Sequence, residues 1–274
     1  AATNRSTVQC HNGNLIGTDS CNMAGLRANL FKSSVLRIAG STPRPSPSVF
    51  VLPGLASRPW YDVHPADGSD SDDQRARFPW VDDLEAAAPR IKREFEAMMG
   101  GDPATRPPSD FVVGESEHAL HTGDWAWHSY ITRGERQPGF AQRCPYTAEV
   151  LDSLPDLMCG TPFDFAFFST LAPGATIAAH TAPCNLRIRC HLALDTPPHD
   201  AEGECAMRVA GETRAWTEGA CAVFDDAFEH EVWNTTAHPR TVLLLDFWHP
   251  DIAQDEREAI VEMFGYAKSE GWLK

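Results

Sequence analysis

The segment from Phe163 to Trp248 consists of short apolar runs that are separated by turn signals. These signals lie at Pro173–Gly174, Pro197–Pro198, Gly211 and residues 235–239. We count six or seven short runs, and this spacing is typical of antiparallel sandwiches and jelly-roll barrels. Helical patterns occur before and after the segment. The sequence therefore predicts a mainly β fold with flanking helices.

Within this segment, residues 185–192 predict a strand with one apolar face and one basic face. Successive side chains of a strand point to opposite sides, so Arg187, Arg189 and His191 share a face. A guanidinium matches a carboxylate or phosphate bidentately, and two of them in a row indicate an anion across this face. His180 and His230 lie on either side of the strand in sequence. We interpret them as metal ligands beside an anion pocket, although a chain with 11 histidines can also place two beside a core by chance.

The usual signature of a non-haem iron site is incomplete in this sequence. Such sites combine two histidines with one carboxylate, most often two residues after the first histidine. Ala182 occupies that position here. Asp225, Asp226 and Glu229 precede His230, and one of them could supply the missing carboxylate or orient an imidazole. A capped turn is the interpretation that we favour for these acids.

Three dense motifs resemble one enzyme family. They are HTAPCNLRIRCHL (residues 180–192), FDDAFEHEVWN (224–234) and RTVLLLDFWHP (240–250), with weaker similarity upstream, so that the resemblance covers residues 49–253. Together they resemble the catalytic domain of the aspartyl/asparaginyl β-hydroxylases. The resemblance implies a double-stranded β-helix (jelly-roll or cupin-like) core and an Fe(II)- and 2-oxoglutarate-dependent dioxygenase. The animal hydroxylases that this chain resembles hold iron with two histidines and have a small residue where Ala182 stands.

The resemblance also assigns roles to individual residues. His180 and His230 would bind iron, and together with Arg189 they are the expected catalytic residues. Arg189 and His191 would hold the oxalyl end of 2-oxoglutarate, while Arg240, assisted by Ser169, would hold its distal carboxylate. Arg187 would face a carboxylate of the substrate. A dicarboxylate needs a cation at each end, which agrees with this arrangement.

The implied reaction couples O₂ and 2-oxoglutarate to the oxidation of an sp³ carbon, most often by hydroxylation, with release of succinate and CO₂. The expected substrate is an amino acid, a peptide Asp or Asn residue, or an amino-acid-derived small molecule that bears a carboxylate. Oxidative cyclisation, desaturation or halogenation with the same cofactors remain alternatives. So does a non-catalytic cupin-like protein that binds a small acid or a metal. A zinc hydrolase on such a barrel would need a third protein ligand and a general base.

The composition of the chain limits the classes of partner that it can bind. The net charge of −15 argues against nucleic acid, whose binding depends on neutralised phosphates, and no apolar run is long enough for a membrane span. No signal peptide is visible, which favours the cytoplasm, although a processed precursor could have lost one. Among eight cysteines, Cys144 and Cys159 are a possible disulfide pair. The oligomeric state stays open.

We divide the chain into an irregular N-terminal arm with a Pro/Ser linker (residues 1–48) and one catalytic domain (49–274). Larger animal relatives carry a helical-repeat module before this domain, and the short arm here favours a free amino acid, short peptide or natural-product intermediate over a folded protein substrate. Local patterns predict a strand over 49–55, helices over 24–38, 81–99, 145–154 and 255–265, and a strand over 124–131. Pro89 should kink or split the second helix.

Overall fold

A computed structural model of the protein describes residues 47–64, 75–102, 104, 106–111 and 120–272. The N-terminal arm, except its last two residues, and the helix predicted over 24–38 lie outside these residues. Its elements are, in chain order, β1 (Trp60–Tyr61), α1 (Val81–Gly100), β2 (His121–Thr122), β3 (Trp125–Thr132), β4 (Glu135–Arg136), α2 (Phe140–Arg143), α3 (Pro145–Ser153), β5 (Phe165–Leu171), β6 (Thr176–His180), β7 (Arg187–Asp195), β8 (Cys205–Val209), β9 (Glu212–Arg214), β10 (Cys221–Phe224), β11 (His230–Asn234), β12 (Arg240–Trp248) and α4 (Gln254–Ser269).

The strands form two antiparallel sheets that pack face to face. One sheet has the order β1-β10-β7-β12-β5-β3-β4, and the other has the order β2-β6-β11-β8-β9. An inner apolar cluster joins them, with Phe167 and Leu244 from the larger sheet against Ile177 and Val232 from the smaller one. This arrangement confirms the predicted mainly β fold with a double-stranded β-helix core. The described part of the segment after Phe163 contains eight strands, so the prediction of six or seven was low.

The outer face of the larger sheet is covered by α1 and α3. Leu84 and Ile91 of α1 are fully buried in an outer cluster with Ile188 and Leu192 of β7. The helix is continuous through Pro89, so the prediction of a split is wrong. Buried α1 residues lie on both sides of the proline, and their packing on the sheet outweighs the lost backbone hydrogen bond. The predicted helices at 145–154 and 255–265 are confirmed as α3 and α4.

Strand β3 changes face through a bulge. Its register with β5 shifts between Ser129 and Ile131. Trp125 and Trp127 therefore pack against the inner cluster, while Ile131 belongs to the outer one. Simple alternation along the predicted strand would place Trp125, Trp127 and Ile131 on one face, but one inserted residue reverses the alternation before Ile131.

Two local expectations also differ from the structure. Residues 49–55 do not form a strand; only Phe50 makes a β-bridge, to Cys184. Cys144 is a free, buried thiol, so the predicted pair with Cys159 is wrong. The Cys144 thiol instead contacts Met98, with the two sulfur atoms 3.9 Å apart. No helix in the described ranges is long and apolar enough to cross a membrane.

Candidate active site

The two predicted metal ligands meet at one point of the smaller sheet. His180 is the last residue of β6 and His230 is the first residue of β11, and the two are partners in the antiparallel register. Their ring centroids are 4.1 Å apart. Nδ1 of His180 lies 2.8 Å from the carbonyl oxygen of Ala178, and Nδ1 of His230 lies 2.9 Å from that of Phe228. Each carbonyl fixes the proton on Nδ1, so each Nε2 keeps its lone pair.

Both imidazoles are held in the neutral form that a metal requires. Burial lowers the pKa of His180, and burial together with the neighbouring His180 lowers the pKa of His230 to about 3. A neutral imidazole with Nδ1–H bonded to a carbonyl is the usual state of a histidine ligand. The geometry thus agrees with the assignment of His180 and His230.

The acidic residues before His230 do not complete a three-ligand site. Asp225 accepts a hydrogen bond from the backbone N–H of Ala227 at 2.9 Å, which is the capped turn that we favoured. Glu229 is exposed. No group of three or more His, Cys, Asp or Glu residues in the described part of the chain could enclose a metal ion. A two-histidine site therefore matches the position of Ala182, and the third ligand that a zinc hydrolase would need is not found in that part.

The segment 47–60 fastens the loops that carry the two histidines. The backbone N–H of Ser48 donates to the carbonyl of Ala182 at 3.0 Å, and that of Asp225 donates to the carbonyl of Pro59 at 3.2 Å. Between these points the Asn185 side chain forms two hydrogen bonds with the backbone of Leu52, each 2.8 Å long. The loops after His180 and before His230 are thus both hydrogen-bonded to this one segment.

Four charged side chains, of which three are buried and Arg189 is partly buried, form an arginine–aspartate cluster beside the histidines: Arg187 and Arg189 of β7, Asp226 of the β10–β11 loop and Asp246 of β12. Nη2 of Arg187 lies 2.6 Å from Asp226, and Nε of Arg189 lies 2.8 Å from Asp246. Two further contacts cross over, Arg187 to Asp246 at 3.0 Å and Arg189 to Asp226 at 3.2 Å. Burial alone would raise the pKa of Asp226, but the two guanidiniums outweigh it and hold that pKa below its usual range.

The cluster changes the interpretation of Arg187. Its side chain is 3% exposed, and its donors contact Asp226, Asp246 and the carbonyl of Phe163. Because the side chain is enclosed by these partners, it is not accessible to an incoming carboxylate, and the predicted role of Arg187 in substrate binding is not supported. The anionic groups that neutralise Arg187 are thus two carboxylates of the protein, Asp226 and Asp246. Arg189 is 12% exposed and remains in reach of a ligand.

Arg240 and Ser169 lie together on neighbouring strands β12 and β5. Arg240 is only 1% exposed, has no acidic partner among the described residues, and its Nε has no hydrogen-bond partner. Its Nη1 lies 3.4 Å from the carbonyl oxygen of Ser169. Burial lowers the pKa of Arg240 to about 10. The Ser169 hydroxyl accepts a hydrogen bond from Nε1 of Trp125 at 2.9 Å, which leaves its own proton free to donate.

His191 lies between the two arginine sites and is 5% exposed. Its Nδ1 accepts a hydrogen bond from Nε1 of Trp216 at 3.3 Å, while its Nε2 is buried without a partner. Burial, and after it the charges of Arg240 and Arg189, lower the pKa of His191 far below its usual value. The site thus presents a neutral donor, an unpaired guanidinium and a free hydroxyl proton.

Three residues of the site, Asp246, Trp125 and Trp216, were not among the predicted site residues. Asp246 had a usable signal, since a single acid within the apolar run of β12 must have a buried cationic partner. Trp125 and Trp216 had no such signal. Only the folded structure shows that their indole N–H groups donate to Ser169 and His191.

Comparison with known proteins places these residues in one family. The profile described as "Aspartyl/Asparaginyl beta-hydroxylase" matches residues 85–250. The chain is 34% identical to aspartate beta-hydroxylase domain-containing protein 2 of Rattus norvegicus over 80% of this chain and 59% of that protein. It is 30% identical to the aspartyl/asparaginyl beta-hydroxylase of Homo sapiens over 78% of this chain and 26% of that protein.

This chain thus spans 59% of the length of the first of these relatives and about a quarter of the second. Among solved structures, a Pseudomonas putida prolyl-4-hydroxylase is 19% identical, with 61% of this chain and 86% of that chain covered and a TM-score of 0.37. The architecture above follows from the sheet topology and not from that distant likeness. The profile and the identity over most of the chain show that this protein belongs to the aspartyl/asparaginyl β-hydroxylase family.

Proposed function

We propose that the protein is an Fe(II)- and 2-oxoglutarate-dependent dioxygenase. It hydroxylates an sp³ carbon near a carboxylate and releases succinate and CO₂. The observation that carries the proposal is the buried guanidinium of Arg240, which has no acidic partner among the described residues and lies in the same interior as two neutral histidines whose Nε2 atoms are unbonded there. A buried charge without a counter-ion is costly, so this position is explained by an anion that the protein binds.

The residues fit a divalent iron ion. Imidazole is a good ligand for Fe(II), and the paired register of β6 and β11 brings two Nε2 atoms to one place. His180 and His230 would hold the ion, and each ring is oriented by its own backbone carbonyl. The missing protein carboxylate leaves additional coordination positions to small ligands.

The residues also fit 2-oxoglutarate. Arg240 and the Ser169 hydroxyl would bind its distal carboxylate. The Nε2–H of His191 and the exposed edge of Arg189 would bind the oxalyl end, nearer the histidines. Each contact of this charge-assisted kind is worth about 1.5–3 kcal/mol. When bound, iron and 2-oxoglutarate would supply the oxidation of an unactivated C–H bond with O₂.

The protein itself positions the reactants and limits the access of water. Phe167, Phe224 and Leu244 are buried in the inner cluster beside these polar groups, so that the site is apolar on several sides. His191, neutral and buried, donates a proton in a hydrogen bond without transferring it. Asp226 and Asp246 hold Arg189 in place, and Arg189 is the only member of the arginine–aspartate cluster that reaches solvent.

The substrate class follows from the family and from this exposed edge. Human aspartyl/asparaginyl beta-hydroxylase is named for aspartyl and asparaginyl residues. We extend this to a free amino acid, a peptide Asp or Asn residue, or a small molecule derived from an amino acid. Because Arg187 is enclosed by its own partners, Arg189 is the arginine of this cluster that can contact a carboxylate of the substrate.

The test is formation of succinate from 2-oxoglutarate. Protein loaded anaerobically with Fe(II) is exposed to air, with and without a pool of free amino acids and Asp/Asn peptides. The same assay is run on His180→Ala and Arg240→Ala, with His238→Ala as the control because His238 is exposed.

Succinate that rises with one member of the pool, persists in His238→Ala and disappears in the other two variants supports the proposal and identifies the substrate class. The mass of the oxidised product then distinguishes hydroxylation from desaturation, cyclisation or halogenation. No turnover by iron-loaded wild-type protein, with or without the pool, contradicts the proposal and favours a binding protein.

A further inference from the structure

Trp216, in the loop between β9 and β10, contacts two groups of the anion site. The side chain is 6% exposed, and its Nε1–H donates to Nδ1 of His191 at 3.3 Å. The two rings are nearly parallel, with an interplanar angle of 22° and centroids 6.0 Å apart. On the same indole, the guanidinium carbon of Arg240 lies 4.7 Å from the ring centroid.

The hydrogen bond from Trp216 decides which nitrogen of His191 carries the proton. A neutral imidazole has one N–H and one lone pair, and an indole N–H can only donate. Since Nδ1 accepts from Trp216, the proton of His191 is on Nε2. That nitrogen is buried and has no partner among the described residues. His191 therefore offers one unused donor to the interior of the barrel.

The contact with Arg240 is independent of this hydrogen bond. A guanidinium over an indole face is attracted by the ring, and the attraction is larger where water is excluded. Arg240 has no acidic partner in the described structure, and the indole is one of three groups that hold it, together with the Cys205 side chain and the carbonyl of Ser169. Trp216 thus touches the proposed donors for both ends of a dicarboxylate.

We propose that Trp216 is a positioning residue for 2-oxoglutarate: it holds His191 as the Nε2–H tautomer and supports Arg240, so that both ends of the dicarboxylate meet preformed donors. The inference rests on the proposed function for the identity of the ligand. The tautomer itself does not, because it is a property of the protein without any ligand.

Trp60 provides a matched control. It is also 6% exposed and belongs to the same inner cluster, and the guanidinium carbon of Arg214 lies 4.7 Å from its ring centroid. Its Nε1, however, has no hydrogen-bond partner among the described residues. Trp60→Phe therefore makes the same change in volume and weakens the same type of cation–π contact as Trp216→Phe, but it removes no donor to a histidine.

The first measurement is the ¹⁵N spectrum of protein labelled at histidine, without metal or 2-oxoglutarate, with the His191 signals assigned by their loss in His191→Gln. We expect Nε2 to be protonated and Nδ1 to be unprotonated in wild type and in Trp60→Phe. In Trp216→Phe we expect the Nδ1–H tautomer to appear. Protonation of Nδ1 in the wild type overturns the proposal, and so does an unchanged tautomer in Trp216→Phe. The wild-type spectrum is decisive even if that variant does not fold.

The second measurement is the dissociation constant of 2-oxoglutarate, from calorimetry on protein loaded with Mn(II) in place of iron. Loss of one neutral hydrogen bond should weaken binding about three- to tenfold in Trp216→Phe, and Trp60→Phe should bind as wild type does. In the His191→Gln background, Trp216→Phe should weaken the binding of 2-oxoglutarate by a smaller factor than it does alone, because the two residues act together. Full additivity, or an equal loss in Trp60→Phe, contradicts the positioning role. A wild type that does not bind 2-oxoglutarate contradicts the proposed function but leaves the tautomer result intact.

Discussion

Replacement of Arg240 by methionine should make the protein without cofactor more stable and its binding of 2-oxoglutarate weaker. Burial lowers the pKa of Arg240 from its ordinary 12.5 to about 10. At about 1.36 kcal/mol per pH unit, the charged side chain costs the folded state about 3 kcal/mol relative to the unfolded chain. Methionine keeps most of the apolar stem and removes this cost.

Two losses offset part of the gain. The cation–π contact with Trp216 contributes up to about 2 kcal/mol, and the 3.4 Å contact with the Ser169 carbonyl is too long to contribute much. A net stabilisation of about 1–2 kcal/mol remains, which corresponds to a rise in the melting temperature of about 2–6 °C. Binding should change in the opposite direction, with affinity for 2-oxoglutarate about ten- to a hundredfold lower.

Urea unfolding with and without 2-oxoglutarate measures both effects. At a ligand concentration about 100 times the wild-type dissociation constant, the wild type gains about 2.7 kcal/mol and the variant, with its weaker binding, only about 0.4–1.4 kcal/mol, so the ligand should cancel or reverse the difference in stability. Arg208→Met is the control, because Arg208 is half exposed and pairs with Glu231, and such pairs contribute about 0–1 kcal/mol. If Arg240→Met lowers the stability of the cofactor-free protein by more than about 1 kcal/mol, or leaves binding unchanged, the reasoning from an unpaired buried charge is refuted.

Three further predictions follow from the same contacts. Asp226→Asn leaves the arginine–aspartate cluster with uncompensated charge and should cost about 3–5 kcal/mol in urea unfolding; a cost below about 1 kcal/mol would contradict the ion pairing. Since the pKa of Asp226 is held below its usual value, its stabilisation is complete at neutral pH and is lost as the pH falls below about 4, so this variant should lack that part of the wild-type acid dependence. Trp125→Phe removes the donor that orients the Ser169 hydroxyl, and it should raise the KM for 2-oxoglutarate about two- to tenfold with little change in kcat. In the same steady-state assay, the double variant with Ser169→Ala should have the same KM as Ser169→Ala alone. Asn185→Ala removes both hydrogen bonds to Leu52 and should destabilise the protein by about 1–3 kcal/mol; thermal unfolding indistinguishable from wild type would show that this link is dispensable.

Residue types and their alternation determined much of the fold and of the site. The short runs after Phe163 predicted two antiparallel layers, and the alternation along β7 correctly placed Arg189 and His191 on one face. The motifs identified the family and thereby the set of candidate residues. These features are local, because the period of a strand and the chemistry of a side chain do not depend on distant parts of the chain.

Only the tertiary structure decided which groups meet. Arg187 looked like a substrate ligand because its sequence neighbours are cationic, but its partners Asp226 and Asp246 lie 39 and 59 residues further along the chain. The bulge in β3 and the N–H donors of the two tryptophans also depend on the packing of distant strands. Register and burial arise when the whole sheet closes, and they determine whether a charge is satisfied by the protein, as for Arg187, or left for a ligand, as for Arg240.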